Sequence, residues 1–468
     1  MEKWTEIRRR ELIRRQASTL GIGLEWHVNL SRPDSAFLWR TAFMRILLQV
    51  LLTTLCTSSL WAQDVAKYDR STQLRLKAID SAMSDAMKAE DESEVRRLFQ
   101  QAVGLMEDQA GLPETPDEFR AIPAASRPLS PVELASAFDP YIPFIENQKW
   151  WRIGLDPAKS NHSLREVATV MEGCLAARKV NEKNADKLLA VAREAGDFLV
   201  WTQEQAGTGV LPFPAVRNGQ GRPFEVAEEF YRRAEQNGNL DQVIANGWTI
   251  DDLENGGLQF DNGLAGVALI RLFEATKDEK YKRAAVKAAD WALTRPIVTN
   301  WNYNSFSVFL LSETFRATGD EKYLAGAKKK SLIGVLPGQL TEGPRKGRWG
   351  DPHNARPAYH YILVRGLASL AAVLPPDDED RPRILKSLRL ALKARNPDFQ
   401  KGVCNADSSV EALVLVKSMP AGSFEKLQDC YIDEALDALE RYAAHQFRKG
   451  KPALSPGAWG QLLALRQR

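Results

Sequence analysis

The chain has 468 residues, 44% of them hydrophobic and 26% charged, with four cysteines. That composition excludes a disordered chain, a collagen-like repeat and a disulfide-dense mini-protein, and the length suits one large domain or several smaller ones. The net charge of +3 is unevenly spread. Residues 1–62 hold nine Lys/Arg against five Asp/Glu, and the remaining 406 residues come to −1. A near-neutral bulk offers no broad basic face for nucleic acid.

Residues 1–43 read as an untranslated or cytoplasmic leader. Residues 44–62 then show Arg45, an apolar run from Ile46 to Trp61, and a small residue at Ala62. This is the pattern of a secretory signal peptide, with translation starting at Met44. The alternative is a signal anchor, with RRRELIRR held inside. An exported protein is expected either way, in contact with a membrane only through an uncleaved anchor. Beyond Ala62 three cysteines remain, Cys174, Cys404 and Cys430. They read as small buried apolar residues, although one pair could bridge in an oxidising compartment.

Residues 63–130 carry two helical patterns and a Pro-rich linker. From 131 to 468 an internal repeat dominates. Phe273-Glu-Ala-Thr-Lys-Asp-Glu-Lys-Tyr281 recurs as Phe315-Arg-Ala-Thr-Gly-Asp-Glu-Lys-Tyr323, 42 residues later. Each copy joins two helical runs. Gly319 is placed to end one helix in the left-handed conformation, and Asp320 to cap the next. Similar hairpins are expected over about 163–203, 358–394 and 408–447. Between them lie segments of uneven length, rich in Gly, Pro, Trp, Asn and His. Uneven repeats with loops at one end favour an all-α (α/α) toroid of five to six helical hairpins over an open solenoid, with a helical extension before it.

At this point the chain resembles the (α/α)-toroid carbohydrate-active enzymes, the six-hairpin glycosidases and the pectate- or alginate-lyase-like polysaccharide lyases. Phe260-Asp261-Asn262-Gly263, the repeat and the aromatic-rich segments carry the resemblance over roughly 135–450. The lyase type is matched locally at Asn161-His162 and at Arg356-Pro-Ala-Tyr359-His360-Tyr361. The resemblance implies that Asn161, His162 and Arg356 hold a uronate carboxylate and that Tyr359 or Tyr361 moves the proton. The family's tyrosine position is occupied here by Leu363.

The residues themselves also speak to the chemistry. β-Elimination needs a neutralised carboxylate, a base for the C5 proton and an acid for the leaving oxygen. Arg356, with Asn302 or Asn354, suits the first task. Tyr303, Tyr359, His353 and His360 are candidates for the others. Trp301, Trp349 and Trp248 offer flat faces for sugar rings, with Arg348 as a further contact. Hydrolysis needs two carboxylates instead, for which Asp251, Asp252, Asp261 and Asp351 are the candidates. The local alternative is that Asp251 and Asp252 cap a helix and that Asp261-Asn262 cap the one that follows. No cofactor is required, although Asp251, Asp252 and Glu254 are acidic enough to invite Ca²⁺. The expected partner is a polysaccharide or oligosaccharide, cut by a lyase or a hydrolase, or bound without turnover.

Overall fold

The computed structural model describes residues 67–112, 118–148, 164–211, 259–350, 356–451 and 453–466, with Asn354 and short pieces of 213–250. The leader and signal segments, and the two local matches at Asn161 and His162, lie outside the described residues. So do Trp248, Asp251, Asp252, Asp351 and His353. None of the described helices is long and apolar enough to cross a membrane.

Five hairpins follow one another. They pair α5 (Leu164–Ala177) with α6 (Ala185–Ala206), α7 (Gln259–Thr276) with α8 (Glu279–Thr294), and α9 (Trp301–Thr318) with α10 (Glu321–Gly334). Then come α11 (Pro357–Val373) with α12 (Arg381–Arg395) and α13 (Ala406–Lys417) with α14 (Ile432–Arg448). A last helix, α15 (Pro456–Leu465), completes a sixth inner position. The first members pack side by side in the order α5, α7, α9, α11, α13, α15, and α15 returns to α5. The ring is therefore closed, with six parallel helices inside and the second members outside.

The inner helices are buried on both flanks; thirteen of the eighteen residues of α9 are buried, among them Asn302, Asn304 and Glu313. Outer helices such as α14 and α8 are amphipathic, burying one stripe against the ring. Closure depends on close backbone approach. A Cβ at Gly173 of α5 would lie 2.3 Å from the carbonyl of Pro456, and one at Gly460 would lie 2.5 Å from that of Gly173. Glycine at both positions lets α5 and α15 touch main chain to main chain.

The repeated turn is a lock. Asp278 and Asp320 each accept a backbone N–H two residues on, from Lys280 and Lys322, both at 3.1 Å. Gly319 takes the left-handed conformation at φ 71°, and Lys277 takes it at φ 60° in the other copy. The Lys-Tyr pair that follows reaches back to the preceding outer helix. Tyr281 donates to Asp197 and Tyr323 to Asp290, both at 2.8 Å. Lys280 and Lys322 pair with the same two carboxylates. Asp197 is thus a fixed acceptor between hairpins.

Before the ring, α1 (Arg70–Lys88) and α2 (Glu92–Gln109) form an antiparallel pair that packs on α10 and the turn after it. Two short helices, α3 (Pro131–Ser136) and α4 (Tyr141–Gln148), lie against the end of the chain. Tyr141 donates to the Leu454 carbonyl at 2.6 Å, and the Trp459 indole donates to Ala137 at 2.9 Å. β-Structure among the described residues is a two-residue antiparallel ladder, β1 (Phe213–Pro214) with β2 (Thr249–Ile250), and two isolated bridges. Cys174, Cys404 and Cys430 are buried thiols, and no disulfide joins them.

Candidate functional site

Every inner helix begins on the same face of the ring, because each hairpin returns the chain there. Below it, side chains from all six inner helices pair with those of adjacent inner helices. Arg271 of α7 pairs with Glu172 of α5 at 2.8 Å, and Gln461 of α15 donates to the same carboxylate at 2.8 Å. Arg365 of α11 pairs with Glu411 of α13 at 2.5 Å, its guanidinium 4.9 Å from the Phe309 ring of α9. Ser369 donates to Glu313 of α9 at 2.8 Å. Burial pushes the Glu172 and Glu411 carboxyls up and Arg365 down, with the opposite charges partly restoring each. Buried ions need partners, and here they come from neighbouring helices, so this layer ties the ring together and closes its floor.

Above this layer lies the mouth. Arg165 stands two turns above Glu172 on α5, with its guanidinium 4.3 Å from the Phe260 ring centroid of α7, a cation–π contact. Tyr303 of α9, half-buried, stacks on the same Phe260 ring at 5.8 Å and 17°. Asp261 is fully buried. It does not cap its own helix, contrary to the local expectation. Its Oδ1 accepts the backbone N–H of Arg165 at 3.1 Å, so it caps the start of the neighbouring inner helix, α5. Its Oδ2 has no hydrogen-bond partner. Burial pushes the carboxyl up to about 6, with Arg165 holding it back from rising further. Asn262 is also taken by a structural task, accepting from Leu211 N–H at 2.9 Å and donating to the Ala288 carbonyl at 3.0 Å.

On the adjoining sector, Asn302 donates to Asn300 at 2.7 Å and to Asn354 at 3.1 Å. Two residues 52 apart in sequence are thereby joined at the entries of α9 and α11. Arg356, half-buried, occupies the cap position of α11, immediately before Pro357. Tyr359 lies one turn further in and is 3% exposed.

Several sequence candidates have other work. Trp301 and Trp349 are fully buried and offer no face to a sugar. Trp301 covers Gly338 and meets Phe99 edge-on at 5.8 Å; Trp349 donates to the Val335 carbonyl at 2.9 Å. His360 is fully buried between α11 and α12, with Nε2 3.0 Å from the Ala391 carbonyl and Trp349 edge-on at 5.4 Å. Burial holds it neutral, far below the usual histidine range, and it reaches no substrate. Arg348 turns to Asp398 at 3.4 Å, beside Arg395 at 3.1 Å. Tyr361 donates to Asn396 at 2.9 Å on the outer side of α11. Arg165 was not singled out from sequence, and Phe260 entered only as part of the Phe260-Asp261-Asn262-Gly263 helix start, not as a site residue. No group of metal-ligating side chains occurs among the described residues.

No family model matches the chain, and no curated protein matches it. Among solved structures it is similar to a protein titled a polysaccharide lyase, at 12% identity over 72% of this chain and 95% of that one, with a TM-score of 0.42. It is also similar to a glycosyl hydrolase of family 88 from Bacteroides vulgatus, at 10% identity over 72% and 97%, with a TM-score of 0.39.

Proposed function

We propose that this protein is an exported carbohydrate-active enzyme, a lyase that cleaves an acidic polysaccharide by β-elimination at the mouth of the ring. The observation that supports this reading best is the amide cluster Asn300–Asn302–Asn354, which adjoins Tyr303 and Arg356 at the entries of α9 and α11. The Arg356 guanidinium binds a uronate carboxylate and offsets its charge, which makes the C5 proton acidic, while the buried amide cluster fixes the entries of α9 and α11 beside it. Tyr303 or Tyr359, acting as the phenolate, then takes that proton, and the phenol so formed returns it to the leaving oxygen as the bond to C4 breaks. Arg165, spread over Phe260, adds a cation at the same opening.

A second reading follows from Asp261. A carboxyl held at about 6 by burial is the acid that glycoside hydrolysis requires. Its partner base would come from Asp251, Asp252 or Asp351.

The two are separated by one assay. The purified protein is offered pectate, alginate, glycosaminoglycans and neutral glycans, and both unsaturated-uronate absorbance and reducing ends are followed. Absorbance rising with reducing ends is the expected result. Reducing ends without absorbance would replace the lyase with the hydrolase. Replacing Arg356 with Ala should lower lyase turnover at least a hundredfold without shifting the melting temperature; full turnover would remove Arg356 from the mechanism.

A further inference from the structure

The segment before the ring touches the mouth face at more than one point. Phe99 of α2 is 2% exposed and meets the Trp301 ring edge-on at 5.8 Å. The same phenyl ring leaves no room for a side chain at Gly350, where a Cβ would lie 2.6 Å from it. Gly350 N–H in turn donates to the Gly338 carbonyl at 3.0 Å, and Gly338 lies flat under Trp301. Phe99 therefore closes a stack that contains the first residue of α9 and the segment leading into α11. Asn302 follows Trp301, and Asn354 lies four residues beyond Gly350.

Further along, Arg120 forms a two-way main-chain pair with Val403, both bonds at 2.9 Å, just before α13. Its guanidinium reaches Tyr442 of α14 at 3.3 Å. Arg448, at the end of α14, donates to the carbonyls of Arg127 and Pro128 at 2.8 and 2.9 Å. Salt links tie the hairpin to the outer helices as well, from Lys329 to Glu90 at 2.6 Å and from Arg383 to Glu92.

We propose that residues 70–130 are a positioning element of the site, and that Phe99 is the positioning residue for the Asn302–Asn354 pair. The extension stands outside the ring yet braces the entries of α9, α11 and α13. Phe99 touches neither amide. It acts through Trp301 on one side and Gly350 on the other, so its removal frees both ends of the 3.1 Å link at once. The ordering part of this proposal stands without the lyase reading; only its effect on turnover rests on that reading.

Amide hydrogen exchange on the full chain tests it. In Phe99→Ala, peptides covering 338–356 should exchange at least tenfold faster, while those of α7 and α8 keep their wild-type rates. Phe99→Leu, which refills most of the volume, should give an intermediate rate and preserve the fold if Ala does not. Unchanged exchange over 338–356 in both variants would overturn the proposal. So would equal acceleration in α7 and α8, which would make the hairpin a general prop. If a substrate is turned over, Phe99→Ala should lower kcat about tenfold with the ring's melting temperature unchanged. Loss of protection at 338–356 with full turnover would leave the bracing intact and remove the amide pair from the chemistry.

Discussion

The two faces of the ring handle charge differently. On the turn face, the repeated locks join exposed Lys280 and Lys322 to Asp197 and Asp290, and every group in them has a partner. On the mouth face, polar groups are buried and incompletely met. Asp261 Oδ2 and the Trp301 indole N–H lack partners, and Lys330 of α10 is 3% exposed with only oxygens of Arg295 and Gln259 to receive its donors. Surface locks of this kind set which hairpin follows which, at small energetic cost. Buried polar groups left short of partners are costly, and a fold retains them where their chemistry is used.

Lys330 gives the largest expected contrast. Burial, with Lys329 and Arg295 nearby, pushes its amine down to about 7. In the unfolded chain the amine titrates near the ordinary value of about 10.4. Between these values the unfolded state binds the extra proton, so this group's contribution to stability rises with pH. At neutral pH and below, the penalty is full, on the order of 5 kcal/mol from a shift of over three units. Lys330→Met should therefore gain most relative to wild type near pH 6, and the gap should close towards pH 10. Denaturant melts at both pH values check this; a gap independent of pH would show that the amine is not depressed.

Asp261 should behave in the mirror sense. Its folded value, about 6, lies above the ordinary carboxyl value. The folded state holds the proton more tightly, so stability falls as pH rises from about 4 to 6. Asp261→Asn should be the more stable chain above pH 6, by about 3 kcal/mol, and equal to wild type near pH 4. Melting temperatures across that window decide it. Retained lyase turnover in the same variant would end the second reading, whereas lost hydrolysis would strengthen it.

The turn face should respond least. Tyr323→Phe removes one hydrogen bond to Asp290 and should cost about 1 kcal/mol. Lys322→Met, on an exposed pair, should leave the melting temperature unchanged. A larger change in stability from Lys322→Met than from Asp261→Asn above pH 6 would reverse the contrast between the faces.

The same contrast explains what could be read beforehand. The hairpins were legible because their caps and turns are local: Thr-x-Asp-Glu fixes a helix end within four residues. Asp261 looked like an ordinary cap for the same reason, yet it caps α5, 96 residues away in sequence. No spacing rule sees the neighbouring helix. Asn302 and Asn354 were both named as candidates, but their contact depends on the ring being closed. Trp301 and Trp349 turn out to be core residues because flat aromatic faces serve a core as well as a ligand. Trp301 and Trp349 fill the space beneath the mouth, where glycines let the chain pass over them. Arg165 carried no signal of its own, and Phe260 only that of a helix start, since a cation beside an aromatic ring exists only after α5 and α7 lie side by side.

The seam between α5 and α15 has one more consequence. The glycines that close the ring join the first inner helix to the last one synthesised. Until α15 is added, the chain holds five hairpins in an open arc. The flank of α5 around Gly173 stays uncovered until Pro456–Leu465 emerge. The ring is thus complete only when its final ten residues arrive, and nonsense or frameshift lesions in that short stretch should be as damaging to yield as lesions near the middle of the message.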